Sequence, residues 1–445
     1  MSKKLSEKVE SLKTEGVDKV WSIFSSCLCE TAAETSLRFF NDQMSSGQAP
    51  KREPRPKRRL RKKAAIDAIS NSKVIEDRWI WKHLRENFDV YEEKKIIPKT
   101  LSARAFSEYM NQLYNARGED PEGMPPTIIK DGLAPERDPS PMPADITLNE
   151  ISDAVRTLKT LKAPGIDGCP PEALKIGSGV AKWLLLVCQK CFEEETQPEQ
   201  WNTSKATPIH KRGNKHCCSN YRTVLSQCAA TKVFGMIILS RIYSIVTGAI
   251  DISQAAFRKG RSGLEIIHTL RLLLDGCHKY NLELHLLSID YTKAFDTISR
   301  QHIWDAMISA GVHPKYIRIM RNSYESARAQ IYLNNQVEEV RLNHGVRQGD
   351  GWSPILFILG LEDILSQEKL NGRVTRQNKI CQKVGQFLTD LSFADDVTIP
   401  SSSAEDSEIM YNYLEEDSAI AELKTVETLE NPGCETTNDP WVYIL

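Results

Sequence analysis

The sequence has no run of about 20 uninterrupted apolar residues, the length a helix needs to cross a bilayer. Its best stretch, Val233 to Ile250, is broken by Arg241. That predicts no transmembrane helix and no membrane partner. The amino terminus, MSKKLSEKVESLKTEG, spreads charge throughout and lacks the apolar segment of a secretory signal, which places the chain inside the cell, nuclear or cytoplasmic, and not secreted. Net charge is nearly absent, at −1, so the overall balance favours no class of partner. A disulfide framework is also missing, because the 11 cysteines are scattered and odd in number. No internal repeat is evident.

What is present is enough chain, 445 residues with 40% hydrophobic and 26% charged, for several domains that each bury a core. Charge is unevenly placed. In KREPRPKRRLRKK, residues 51–63, nine of thirteen residues are basic, whereas the stretch from Glu405 onward is acidic. The basic run has no apolar face and reads as a nuclear-localisation or phosphate-binding segment, or as a solubilising linker. Residues 1–45 place Leu5, Val9, Leu12, Val17, Val20, Ile23, Phe24 and Leu28 at helical spacing, and the aromatic residues Trp79, Trp81, Phe88, Tyr91, Phe106 and Tyr109 continue it. Residues 1–118 are therefore expected to form a helical N-terminal region. Seven prolines between Glu119 and Ala144 make 119–145 a linker. Beyond it, Thr147 and Glu150 form a helix-opening pair over the apolar Ile151, Val155 and Leu158. Pro164, Gly165 and Gly168 then turn the chain before a second helix expected at Pro170 and Pro171.

Two acidic sites stand at the ends of strand patterns. LELHLLSIDY, residues 282–291, is an apolar run that closes on Asp290, with a helix capped by Ser299 after it. In FLTDLSFADDVTIP two β-runs flank Ala394, Asp395 and Asp396, the pattern of a tight hairpin. A solvated turn also favours Asp. If the hairpin pairs beside the first strand, however, Asp290 and Asp395 converge, and like charges held together call for cations. Two hard divalent ions there suit in-line transfer to a 3′-hydroxyl.

Six ordered blocks carry a resemblance: KAPGIDG (162–168), the run from Pro208 through NYRTVLSQ (220–227), QAAFRKGRS (254–262), IDYTKAFDTI (289–298), GVRQGDGWSPILF (345–357) and LSFADDVTI (391–399). Their order and spacing resemble the fingers and palm of reverse transcriptases of non-LTR, LINE-type retrotransposons, over residues 146–400. The resemblance implies an α+β right-hand polymerase with a ferredoxin-like palm sheet, followed by an incomplete segment 401–445 and a truncated or absent thumb. It implies RNA-directed DNA synthesis with Mg²⁺ or Mn²⁺, on an RNA template and a DNA primer, from dNTPs. The alternative is an inactive retrotransposon remnant that at most binds nucleic acid.

By the same resemblance Asp290 and Asp395 ligate metal and Asp396 completes the catalytic acids. Tyr291 contributes its carbonyl, Phe295 excludes a ribose 2′-hydroxyl, and Gln348 and Gly349 face the incoming nucleotide. Lys211, Arg212 and Arg222 resemble triphosphate ligands, and Arg258, Lys259 and Arg261 resemble template-backbone contacts. Thr223 stands where the family has Pro, and Asp350, Gly351 and Trp352 depart from its usual run; none of these removes a carboxylate. His210, His216, Cys217 and Cys218 lack the paired loops of a structural zinc site, and Cys188 and Cys191 fit one-face helix packing better than a zinc half-site.

Overall fold

The computed structural model describes residues 15–26, 28, 101–115, 142–159, 162–175, 177–211, 213–334, 336–370, 388, 390–401, 403–426 and 443–444. The basic run 51–63, the aromatic residues 79–91, most of the 119–145 stretch and Arg212 lie outside them. Among the described residues nine strands follow in chain order: β1 (Thr203–His210), β2 (Tyr221–Ser226), β3 (His285–Tyr291), β4 (Arg328–Leu333), β5 (Gln336–Arg341), β6 (Leu391–Phe393), β7 (Asp396–Ser401), β8 (Thr425–Val426) and β9 (Tyr443–Ile444). The chain divides into two units, one of residues 1–238 with 318–343, the other of residues 239–317 with 344–445.

In the first unit β1 pairs antiparallel with β2 and parallel with β4, which pairs antiparallel with β5, giving the mixed order β2-β1-β4-β5. The helix Ala103–Asn115 covers this sheet: its Phe106, Met110 and Tyr114 join Tyr221, Leu225, Ala329 and Ile331 in one core. Phe106 meets the Tyr221 ring edge-on at 5.6 Å. The helical residues 17–26 also belong here. Trp21 packs edge-on to Trp201 at 5.2 Å, Phe24 stacks on Trp183 at 5.5 Å, and Asp18 Oδ1 accepts from Glu199 N at 2.8 Å, opening the short helix Glu199–Asn202. Such aromatic pairs contribute about 0.5–1.5 kcal/mol each beyond the area they bury.

The helix Leu148–Thr157 starts as its sequence requires: Glu150 N donates to Thr147 Oγ1 and Thr147 N donates to Glu150 Oε2. The next element differs from expectation. Pro171 opens only a short 3-10 turn, Pro171–Lys175, and the helix proper is Ser178–Glu194, starting after Gly177. Its Cys188 and Cys191 are buried among apolar neighbours, and burial pushes both thiols up. That is core packing. Asp167, in the turn before it, accepts a hydrogen bond from Cys169 N at 3.2 Å.

Burial raises the Asp167 carboxyl from 3.8 to about 6, against the opposing pull of the Cys169 and Cys228 hydrogen bonds. A carboxyl whose folded pKa exceeds its unfolded value stabilises the fold least once ionised. Its contribution is intact below about pH 4 and is lost as pH rises through 6, a loss of about 3 kcal/mol. Asp167→Asn is therefore expected to raise stability at pH 7.5 and to flatten the pH 4–6.5 dependence; urea titrations across that range check it.

In the second unit the sheet order is β6-β7-β3-β8, and β9 also pairs with β3. All these pairings are antiparallel. The helix Arg300–Ser309 lies against Ser353–Leu370, which in turn meets Ala404–Ile420, and that last helix packs on β3 and β7. The segment after Ser401, expected from the sequence to be incomplete, supplies among its described residues the helix Ala404–Ile420 and two short strands that pair with β3. Its buried Ser407, Met410, Leu414 and Ser418 recur at helical spacing, a stripe hidden by the acidic residues between them.

The helix Ala229–Ala249 corrects one expectation. By length and composition it is long and apolar enough to cross a membrane, since one Arg within such a stretch does not disqualify it. Its Val233, Phe234, Ile237, Ile238, Ile242 and Val246 are buried within the protein, which accounts for their apolarity as core.

Candidate active site

β3 carries Asp290 one residue before its last, Tyr291: His285, Leu286, Leu287 and Ile289 are buried, Ser288 is exposed and Asp290 is half-buried. Its antiparallel ladder with β7 reaches Ile289 opposite Val397, so the next positions in register are Asp290 and Asp396. Phe393 pairs with Asp396, leaving Ala394 and Asp395 as a two-residue hairpin loop. Partial burial first, then the charges of Asp395 and Asp290, hold the Asp396 carboxyl above the usual carboxylate range. Asp396 is therefore near enough to Asp395 and to Asp290 to be repelled by each.

These are hard oxygen donors sharing one strand end, the chemistry a divalent cation requires. Among the described residues, no three His, Cys, Asp or Glu side chains form a ready-made metal cage. Mg²⁺ characteristically binds one or two carboxylates and completes its shell with water and substrate phosphates, so the donor set fits such an ion without a closed cage.

The hairpin turn is held from elsewhere in the chain. The buried Gln254 accepts through Oε1 from Ala394 N at 3.0 Å and from Ala256 N at 3.0 Å, and its Nε2 donates to Ala394 O at 3.3 Å. Sequence reasoning quoted Gln254 only as part of a motif, and nothing local signals its partner 140 positions away.

Phe295 follows β3 on the short helix Ala294–Thr297, half-buried and stacked on Phe357 with ring centroids 4.2 Å apart. Phe257 meets it edge-on at 6.1 Å. Gln348 is oriented too: its Nε2 donates to Asp296 Oδ1 at 2.9 Å, and Asp296 is buried. The Tyr291 ring turns into the core, where its hydroxyl meets Ser418 Oγ at 3.2 Å and burial pushes its pKa up to about 12. Any role of Tyr291 at a nucleotide therefore falls to its main chain.

Gly345 carries a positive φ of 65°, and a Cβ there would lie 2.4 Å from the Asp296 carbonyl carbon and oxygen. This close approach lets Gly345 N donate to Ile298 O at 3.1 Å and Val346 N donate to Phe295 O at 2.7 Å. Gly345→Ala is expected to lower stability by more than about 2 kcal/mol, because backbone strain and a backbone clash coincide. Equilibrium urea unfolding of the variant checks it.

The departures at Asp350 and Trp352 have a structural reason. Asp350 Oδ2 lies 3.2 Å from Arg347 Nη2 in a buried ion pair, with the two side chains 3% and 1% exposed, and Trp352 is buried beside them in sequence. Arg347 was missed by sequence reasoning, although opposite charges three positions apart were a visible signal.

The basic residues separate into three kinds. Arg258 donates to the carbonyls of Asp251, Gln254 and Thr247, and Arg261 to Glu265 and the Ile252 carbonyl. Both brace their own loop. Lys259 is exposed, with its ammonium 4.8 Å from the Tyr243 ring centroid. Lys211 and Arg222 lie in the first unit, both exposed, Arg222 on β2 opposite Ile209 and Lys211 just past β1 with its N donating to Asn220 O. Near them, His210 contacts Gly213 O, Cys217 meets Ser219 Oγ and Cys218 donates to Ala105 O. No metal cluster forms there among the described residues.

Residues 209–427 match the reverse transcriptase (RNA-dependent DNA polymerase) family. The chain is similar to the 149 kDa protein of transposon TX1 from Xenopus laevis, 25% identical over 320 residues, 71% of this chain and 24% of that one. It is also similar to the Pol polyprotein of the type-2 retrotransposable element R2DM of Drosophila melanogaster, 25% identical over 240 residues, 53% and 22% of the two chains. The 115 kDa protein of the element R1DM, from the same organism, is 22% identical over 245 residues, 54% and 23%. The chain spans about a quarter of the length of these relatives. Among solved structures, apo telomerase from Candida tropicalis truncated from its C-terminal domain is 13% identical, with a TM-score of 0.39 over 95% of this chain and 92% of that one. The β3 acid, the Asp395–Asp396 hairpin and the glycine-flanked Gln348 all fall inside the matched span, and the chain carries a reverse transcriptase domain related to those of the non-LTR retrotransposon proteins of the R1, R2 and TX1 type.

Proposed function

We propose that this domain is an RNA-directed DNA polymerase that adds dNTPs to a primer 3′-hydroxyl on an RNA template, in a right-hand fold whose second unit is the ferredoxin-like palm. The observation that carries the reading is the register that sets Asp290 on β3 beside Asp396 on β7, with Asp395 in the adjoining hairpin loop and the Asp396 carboxyl raised first by burial and then by the charges of Asp395 and Asp290. Asp290 and Asp395 would hold Mg²⁺ or Mn²⁺, with Asp396 as the third acid. Bound there, such ions supply Lewis-acid activation of the 3′-hydroxyl and charge stabilisation of the leaving pyrophosphate.

The remaining roles belong to side chains. Phe295, fixed between Phe357 and Phe257, bars a 2′-hydroxyl by steric bulk. Gln348, aimed by Asp296, lines the nucleotide pocket together with Gly349 and the Tyr291 main chain. Lys211 and Arg222 are assigned to the triphosphate, a task for charge-assisted and bidentate donors. For the template backbone, Lys259 is the contacting cation, on a loop that Arg258 and Arg261 hold in shape.

Primer extension on poly(rA)/oligo(dT) with Mg²⁺ or Mn²⁺ tests the proposal. Incorporation that depends on Asp395 supports it. A folded protein that binds the hybrid without extending it supports a nucleic-acid-binding remnant instead.

A further inference from the structure

We propose that Gln254 is a positioning residue for the metal-binding hairpin: its side-chain amide fixes both peptide groups of Ala394 and thereby sets the direction in which Asp395 presents its carboxylate. This rests on the polymerase reading of the same site. Three observations lead to it. Ala394 adopts a positive φ of 59° at the first position of a two-residue hairpin loop, where glycine is the favoured residue because a Cβ is strained there. The turn needs an external hold to keep that conformation.

Gln254 supplies the hold. It is 1% exposed, and its amide binds Ala394 N and Ala394 O together, at 3.0 and 3.3 Å. The backbone around it is registered to the same hairpin: Ser392 N donates to Ser253 O at 3.2 Å and Ala255 N donates to Ser392 O at 3.0 Å, forming a parallel bridge between Gln254 and Ser392. Behind it, Arg258 donates to the Gln254 carbonyl at 3.1 Å and also to the Asp251 carbonyl.

The amide cannot move without leaving buried polar groups unmet. Because Asp395 directly follows Ala394, rotation of that peptide would swing its carboxylate away from Asp290. A metal site built from few protein ligands is sensitive to such a swing, since misplacing one donor removes a large share of the protein coordination.

The test uses the full chain as wild type, Gln254→Met, Gln254→Glu and Asp395→Asn. Gln254→Met keeps the volume and loses all three hydrogen bonds; Gln254→Glu keeps the acceptor for Ala394 N and Ala256 N. Mn²⁺ titration followed by electron paramagnetic resonance, hydrogen exchange of the 391–397 amides and steady-state extension are read on each. Gln254→Met is expected to bind Mn²⁺ at least 10-fold more weakly, to exchange the Ala394 amide at least 10-fold faster, and to lose kcat with little change in KM for dTTP. Gln254→Glu should recover part of each loss.

A folded Gln254→Met with wild-type Mn²⁺ affinity overturns the proposal. If Gln254→Met does not fold, wild-type Mn²⁺ affinity and wild-type amide exchange in Gln254→Glu overturn it equally. Equal Mn²⁺ binding by wild type and Asp395→Asn would instead sink the polymerase reading, and the metal-positioning role with it, whatever the Gln254 variants do.

Discussion

Asp395→Asn is expected to lower primer extension by about 10³-fold or more while leaving the fold as stable as wild type, or slightly more stable. The activity side follows from the proposed role: if Asp395 holds a catalytic metal, its loss removes several kcal/mol of transition-state stabilisation, and every 1.4 kcal/mol is a factor of ten. The stability side has the opposite sign. Asp396 is held above the usual carboxylate range by partial burial and by the charges of Asp395 and Asp290. A carboxyl raised in the folded state weakens the fold as pH climbs past its unfolded value. Replacing the charge at 395 relieves part of that repulsion, so the metal-free melting temperature rises above about pH 4 and the gain vanishes in acid. Mn²⁺ should then raise the melting temperature of wild type and not of the variant. A variant that still extends the primer, or one that melts lower at neutral pH, contradicts this account of the acidic cluster.

How much of this was legible from residues depends on how local each signal is. The Thr147–Glu150 capping pair, the apolar run ending in Asp290 and the tight turn at Ala394–Asp395 are written within a few positions, and the structure places each there. The acids could be brought together on paper because both patterns are strands, and strands pair. Partners from distant segments carry no periodicity. Gln254 on Ala394, Asp18 on Glu199 and Ser418 on Tyr291 join residues more than 100 positions apart, and only the folded chain shows them. The same holds for the helices 17–26 and Ala103–Asn115, whose apolar faces are visible in sequence but whose sites of attachment are not. Composition misled in two places, where acidic residues obscured the buried stripe of Ala404–Ile420 and where one Arg disguised the length of the apolar helix Ala229–Ala249.

The ion pair of Arg347 and Asp350 yields the largest expected effect on stability. Both side chains are almost fully buried, with Nη2 and Oδ2 3.2 Å apart, immediately on either side of Gln348 and Gly349. Taking two charges out of water costs several kcal/mol each, and their attraction offsets this only while both are present. Arg347→Met leaves the Asp350 carboxylate buried without that partner, and should destabilise by about 3–5 kcal/mol. Asp350→Leu should do the same from the other side. The double variant Arg347→Met/Asp350→Leu removes both charges at similar volume and is expected within about 1 kcal/mol of wild type, or above it. A double-mutant cycle from urea unfolding then gives a coupling of about 3 kcal/mol or more, and additive single effects would show that the pair is not a closed unit. If the pair only fills space, extension by the double variant matches wild type. If it shapes the loop that presents Gln348, whose amide must reach Asp296 at 2.9 Å, the stable double variant loses discrimination between dNTPs and NTPs, because loss of the ion pair frees the loop without unfolding the chain.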